Sequence, residues 1–360
     1  MGGGGYTVRR QRLWENSALQ SLDALLITSG VNCRYLCGFT GSSSILLLTP
    51  RRAHFFSDGR YREQSQTEVV DAEIHIVDGP LLPALKPLVG TSSAIGFESD
   101  HLTVATRTQL SELSPRLNWV PVSGVVEALR LVKDEGEIAL ISEAADLACA
   151  VLGDTLDLIG EGTSELAIAA ALESGLRLRG SEGGAFEPIV VSGPRGACPH
   201  GRPADRHLAE GEAVTIDFGA VRGGYHSDIT RSFCVGQPTP IVREWAEVLT
   251  RAIEAVLDRT EAGCPCQELD AVARQVIDAA GFGDYFVHSL GHGLGLEVHE
   301  GPRLSRTSSD SLAVGMVFTI EPGIYVPEKG GIRIEEDVVL APDGPQLLTS
   351  FPRTVTLPQS

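Results

Sequence analysis

Four acidic residues fall inside or at the ends of apolar, β-prone runs: Asp217 in residues 213–219, Asp228 in 225–235, Glu321 closing 316–321 and Glu335 closing 332–335. Gly223-Gly224 lies between the first two, and Pro322-Gly323 and Gly330-Gly331 lie between the second two, so each pair predicts a hairpin. Asp217 and Asp228 are almost symmetric about a point between Arg222 and Gly223, and Glu321 and Glu335 about Glu328. A paired register then brings each carboxylate opposite, or nearly opposite, its partner. Buried like charges raise one another's pKa, so four of them converging in a cleft are costly unless cations are present.

A fifth donor lies in the run His288-Ser-Leu-Gly-His292-Gly-Leu-Gly-Leu-Glu-Val-His299-Glu300, where glycines on both sides of His292 let other groups approach its backbone closely. Four carboxylates and one imidazole favour a hard to borderline divalent ion, Mn²⁺, Co²⁺, Fe²⁺ or Zn²⁺, over a thiolate site. Two such ions about 3.5–4 Å apart are typical of hydrolytic centres. Taken singly, an Asp beside a hairpin is usually a turn or surface residue, and a His is more often hydrogen-bonded than a ligand. It is their combination that carries the metal reading. The glycines at 291, 293 and 295 lack the full phosphate-binding fingerprint and its βαβ setting, which discounts a nucleotide site.

The 360 residues suggest two domains. Short apolar runs at 22–28, 44–49, 53–57, 74–77 and 94–97, with a helix-like 105–113, predict an α/β domain over residues 1–125. The second domain, 126–360, opens on a helix over 137–158, where Ile138, Ile141, Ala145, Ala148, Leu152 and Leu156 recur every three or four residues. A second helix follows to about 178, and two more at 242–259 and 266–280 precede β-like segments from Tyr285 onward. Helix, helix, hairpin thus occurs twice, which permits two related halves facing each other across a cleft.

A net charge of −18 and the lack of a Lys/Arg cluster argue against nucleic acid as a partner, and no apolar run is long enough to span a membrane. Seven cysteines without a CxxC pair, and a start lacking a leader-like apolar stretch, predict reduced thiols and a cytoplasmic protein. The glycines at 2–5 are expected to be disordered.

The motifs Ile216-Asp217-Phe-Gly219, Gly224-Tyr-His-Ser-Asp228-Ile-Thr-Arg231, His288-x-x-Gly-His292-Gly-x-Gly-x-x-x-His299-Glu300, Thr319-Ile-Glu321-Pro-Gly323 and Gly331-Ile-Arg-Ile-Glu335 resemble those of the pita-bread metallopeptidases, in the aminopeptidase P and Xaa-Pro dipeptidase (prolidase) branch. Phe186-Glu-Pro-Ile-Val-Val-Ser-Gly193 and Pro199-His200-Gly-Arg-Pro203 are similar to the family's strand and loop leading to a substrate-facing histidine. Arg34-Tyr35-Leu36-x-Gly38-Phe39-Thr-Gly41 and Asp58-Gly59-Arg60-Tyr61 resemble its creatinase-like amino-terminal domain.

The resemblance implies an α+β fold, with a creatinase-like α/β domain followed by a pita-bread catalytic domain of two pseudo-symmetric halves. It implies two divalent cations, Mn²⁺ foremost, held by Asp217, Asp228, His292, Glu321 and Glu335. Glu321 would also take a proton from the attacking water. His200, His288 and His299 would contact substrate, stabilise the tetrahedral intermediate or relay protons, and Arg333 would orient a carboxylate or a substrate terminus. The implied substrates are short peptides with proline second, cleaved at the amino-terminal bond by a homodimer. The alternatives are a methionine-aminopeptidase-like or other aminopeptidase specificity, and a non-catalytic pita-bread protein that binds peptides or proteins. Gly136 departs from the pattern, since a better helix former is expected there.

Overall fold

Short strands alternating with helices and turns build one sheet in the front part of the chain. The computed structural model describes residues 4–90 and 93–357, and the chain divides into two units, Met1–Arg130 and Leu131–Ser360. The first unit runs α1 (Gly4–Leu13), β1 (Ala24–Ile27), α2 (Gly30–Cys37), β2 (Ile45–Leu48), β3 (Ala53–Asp58), α3 (Arg62–Glu68), β4 (Glu73–Val77), α4 (Lys86–Val89), β5 (Ala94–Glu98), α5 (Val104–Leu113), β6 (Asn118–Val122) and α6 (Val125–Arg130). Its six strands lie in the order β4-β3-β2-β1-β5-β6, with β2 antiparallel to both neighbours and the remaining pairs parallel.

Every apolar run expected as a strand in this unit is one. The expected disorder at the start is corrected in part: residues 2 and 3 lie outside the described residues, but Gly4 and Gly5 open α1. Buried Arg9 and Arg10 anchor that helix, donating to the carbonyls of Tyr35 and Leu36 in α2.

The second unit repeats one plan. Helices α7 (Glu135–Thr155) and α8 (Glu165–Leu178) precede β7 (Ile189–Ser192), β8 (Ala213–Phe218), β9 (Val221–Arg222), β10 (Tyr225–His226) and β11 (Ile229–Cys234). Helices α9 (Pro240–Arg259) and α10 (Cys266–Ala279) then precede β12 (Gly291–Gly293), β13 (Glu300–Leu304), β14 (Val317–Ile320), β15 (Gly323–Val326), β16 (Gly330–Arg333), β17 (Glu336–Ala341) and β18 (Gly344–Leu347). The sheets are ordered β11-β8-β7 and β13-β12-β14-β17-β18, and all their pairs are antiparallel.

Each helix pair buries its apolar face on the sheet that follows it. Ile168, Leu172 and Leu176 of α8 share a core with Ile216, Phe218 and Phe233. Trp245, Leu249, Ile253 and Val256 of α9 share another with Phe318, Ile320 and Val338. Each such side chain contributes roughly 1.5–3 kcal/mol by leaving water. This fixes the two sheets that carry the acidic residues.

Helix α7 starts two residues before the expected Glu137. Asp134 and Glu137 form a capping box that satisfies the first turn despite Gly136, and Tyr225 Oη donates to Glu137 Oε1 at 2.7 Å. Residues 283–285 form a 3₁₀ turn, so the β segments of the second half begin at Gly291, not at Tyr285. Among the described residues no helix is long and apolar enough to cross a membrane.

Candidate metal centre

Both acidic hairpins are continuous in register but broken in the middle. In the first, β8 pairs with β11 and β9 with β10 in one register, and the break falls at Gly219 and Ala220 opposite Ser227 and Asp228. Asp217 therefore faces Thr230, and Asp228 is its diagonal neighbour, not its direct partner. In the second, β14 pairs with β17 and β15 with β16 in one register centred on Glu328, which has a positive φ of 64°. Its breaks fall at Glu321-Pro322 and Ile334-Glu335. Three of the four carboxylates thus sit where a hairpin leaves one sheet, and their side chains are released from the pleat there.

Polar bonds between the hairpins close the site. Thr230 Oγ1 donates to Glu335 Oε2 at 2.6 Å, the Glu335 amide donates to the Thr230 carbonyl at 3.2 Å, and the Asp228 amide donates to Asp337 Oδ2 at 2.9 Å. Arg333 is buried and donates to Asp217, to Thr230 Oγ1 at 3.1 Å and to Tyr325 Oη at 2.8 Å.

His292 enters from β12. Its Nδ1 lies 3.1 Å from the Gly293 carbonyl oxygen, which fixes the ring and leaves Nε2 facing the acids, 3.4 Å from Glu321 Oε1 and 3.8 Å from Asp228 Oδ2. The flanking glycines are needed here: a Cβ on Gly291 would lie 2.0 Å from the Thr319 carbonyl oxygen, and one on Gly293 would lie 1.8 Å from that of Gly301. Gly291→Ala is expected to displace His292 and weaken Mn²⁺ binding by about 10- to 100-fold, the range for groups that orient a metal ligand. A metal titration checks this, and wild-type affinity would contradict it.

All nine residues singled out in the sequence line one cavity of about 490 Å³: Asp217, Asp228, His292, Glu321, Glu335, His200, His288, His299 and Arg333. His200 and His299 are exposed at its wall. His288 differs, because both ring nitrogens are engaged: Nδ1 lies 2.8 Å from the Ser289 carbonyl oxygen and Nε2 lies 2.8 Å from Tyr325 Oη. Three contributors carried no signal of their own in the sequence. Asp337, Thr230 and Tyr325 act only through partners that tertiary pairing supplies, although Thr230 lies inside a quoted motif.

The electrostatics fit cations. Desolvation, then the neighbouring acids, hold Asp228 and Glu335 well above the usual carboxylate range, and desolvation pushes Glu321 up to about 8. Asp217 Oδ1 and Asp228 Oδ1 are buried without a hydrogen-bond partner. Such orphaned oxygens are rare among buried polar groups and are what a cation would satisfy. Asp228, His292 and Glu335 each offer a donor atom within 4.8 Å of the others. Desolvation lowers His292 to about 4, which keeps its imidazole in the neutral form that binds metal.

The chain is similar to known proteins along nearly its whole length. Residues 139–342 match metallopeptidase family M24, and residues 9–132 match the creatinase/prolidase N-terminal domain. The chain is 33% identical to the Xaa-Pro dipeptidase of Pyrococcus furiosus, over 92% of this chain and 95% of that one. Among solved structures, the Xaa-Pro dipeptidase from Bacillus anthracis superposes with a TM-score of 0.94 at 36% identity, covering 98% of this chain and 99% of that one. The X-Pro aminopeptidase from Thermotoga maritima superposes with a TM-score of 0.90 at 38% identity, covering 96% and 99%.

Proposed function

The chain belongs to metallopeptidase family M24, and on that premise we propose that it hydrolyses the amino-terminal Xaa-Pro bond of short peptides. The observation that carries this reading is the convergence of four carboxylates and one imidazole, two of the carboxylate oxygens orphaned, on one cavity. The preference for proline is supported by what the related dipeptidases and aminopeptidase are named for.

In this reading Asp217, Asp228, His292, Glu321 and Glu335 hold two divalent cations. Mn²⁺ is favoured by the oxygen-rich donor set, and Co²⁺, Zn²⁺ or Fe²⁺ are accommodated. When bound, the cations lower the pKa of a water and polarise the scissile carbonyl. Glu321 takes the water's proton on a carboxylate oxygen, which the charge of bound cations keeps ionised. His200 and His299 donate toward the oxygen that gains charge as the carbonyl becomes tetrahedral. Arg333 and Tyr325 act as positioning residues, holding Asp217 and the His288 ring.

A cavity of about 490 Å³ lies within the range of small-ligand sites and suits short peptides. A homodimer in the cytoplasm completes the proposal; the seven free cysteines, six of them buried, support a reducing compartment. Light scattering tests the dimer.

The test of specificity compares Ala-Pro, Ala-Pro-Ala and Ala-Ala with Mn²⁺-loaded protein. Cleavage of the proline peptides well above Ala-Ala is expected, and the better of the two separates dipeptidase from aminopeptidase P behaviour. Equal or faster turnover of Ala-Ala overturns the proline preference.

A further expectation concerns pH in protein stripped of metal by a chelator. A carboxyl whose folded pKa is raised stabilises the fold fully below its unfolded value, roughly 4.3 for Glu, and loses that contribution as pH climbs through its folded value, about 8 for Glu321. His288 and His292, lowered to about 4 first by desolvation, act in the opposite sense, and their contribution is nearly complete above roughly pH 7. Between about pH 7 and 8 the stripped protein should therefore melt at falling temperature, and Mn²⁺ should flatten that slope. Calorimetry across this window checks the sign; a rising melting temperature without metal contradicts it.

A further inference from the structure

We propose that His54, Glu73 and His75 form a second, separate site on the first unit for a borderline divalent cation of the Zn²⁺ class. Strands β3 and β4 run parallel, with His54 paired to Glu73 and Phe56 paired to His75. Residues 54 and 56, and residues 73 and 75, share one face because side chains alternate along a strand. The register thus gathers two imidazoles and a carboxylate on one face of the outermost strand pair.

The donor atoms already have the spacing of a coordination shell. His54 Nδ1 lies 3.2 Å from His75 Nε2 and 3.3 Å from Glu73 Oε2, and His75 Nε2 lies 3.6 Å from Glu73 Oε1. Ligands about 2.0–2.1 Å from a tetrahedral Zn²⁺ stand about 3.3–3.4 Å apart, close to the 3.2 Å between the two imidazole nitrogens and to the 3.3 and 3.6 Å from them to the two Glu73 oxygens. His54 is buried, and the His75 ring stacks on Phe56 with centroids 4.6 Å apart and planes 17° apart. Both imidazoles are therefore held before any ion arrives.

Glu73 is exposed, so the ion would be reached from solvent and would keep a water as its fourth ligand. Two imidazoles and one carboxylate suit Zn²⁺ better than Mn²⁺ or Mg²⁺. Arg52, whose charge reaches His54, sets a cost that limits affinity. An ion here would tie β4, which has only one neighbour in the sheet, to β3.

The test compares full-length wild type with Glu73→Gln and His75→Gln. Zinc content is measured after equilibration at one buffered micromolar Zn²⁺ concentration, and hydrolysis rate serves as a control for equal loading of the cavity in the second unit. Wild type should hold one more Zn²⁺ per chain than either variant, and Zn²⁺ should slow amide exchange over residues 73–77 in wild type only. Glu73 is a surface side chain, so that variant remains informative if the other folds poorly. Equal zinc content in wild type and Glu73→Gln, with no zinc-dependent protection of β4, overturns the proposal.

Discussion

Asp228→Ala should lower kcat/KM on Ala-Pro by more than about 100-fold, with protein that still folds. Groups that only orient a metal ligand are worth roughly 10- to 100-fold, so loss of a ligand oxygen should exceed that range. A 100-fold loss corresponds to about 2.7 kcal/mol of transition-state stabilisation. Folding should survive because Asp228 is a buried acid among acids, held well above the ordinary range by desolvation and then by Glu335 and Asp217. Its removal relieves repulsion in stripped protein, so the stripped variant should melt no lower than stripped wild type. Steady-state kinetics and calorimetry on the same preparations read both halves, and a variant with wild-type kcat/KM would remove Asp228 from the metal set.

Arg231→Leu should cost stability instead. Arg231 is 1% exposed and holds Glu336 through two bonds of 3.0 and 3.1 Å, with further donation to the carbonyls of Thr230, Glu335, Phe351 and Pro352. Breaking a buried pair by removing one partner typically costs about 3–5 kcal/mol; here Glu336 keeps Arg353 and Thr349, and the four carbonyls that lose their donor add to the loss. In a unit of this size that is a fall in melting temperature of about 10 °C. The double variant Arg231→Leu with Glu336→Leu should recover part of the loss, since no buried carboxylate remains and the Arg353 guanidinium, which loses Glu336, lies nearer the surface. A fall of only a degree or two in the single variant would contradict the assignment. Its place also matters for the cavity, because Arg231 ties β11 to the break that releases Glu335.

Much of this centre was legible in the sequence because hairpins are local. Glu321 and Glu335 are symmetric about Glu328, and the register is centred there. For Asp217 and Asp228 the symmetry was close but off by one residue, and pairing Asp217 with Thr230 makes the two acids diagonal neighbours. The helix periodicity over 137–158 was equally local, and only its ends shifted: a capping box that Asp134 and Glu137 form moves the start to Glu135, and the α-helix stops at Thr155, where residues 156–158 tighten into a 3₁₀ turn.

What escaped depends on contacts between distant segments. Asp337 holds the Asp228 amide from another hairpin, and Tyr325 joins Arg333 to His288. Nothing in the chain order announces these bonds. The same holds for His54 and His75: they meet only because β3 and β4 pair in parallel, a choice made by the whole sheet. Residues 4 and 5 show the reverse error, where glycine content suggested disorder but Arg9 and Arg10 bind the helix they open to α2.

The most direct measurement titrates Mn²⁺ into chelator-stripped protein, following bound metal per chain and the rate of Ala-Pro hydrolysis together, with Asp228→Ala alongside. The account predicts no turnover without metal, activity that rises as the second Mn²⁺ is taken up by wild type, and little activity in the variant at any Mn²⁺ concentration. Full turnover by the stripped protein, or activity complete with no Mn²⁺ bound, would contradict it.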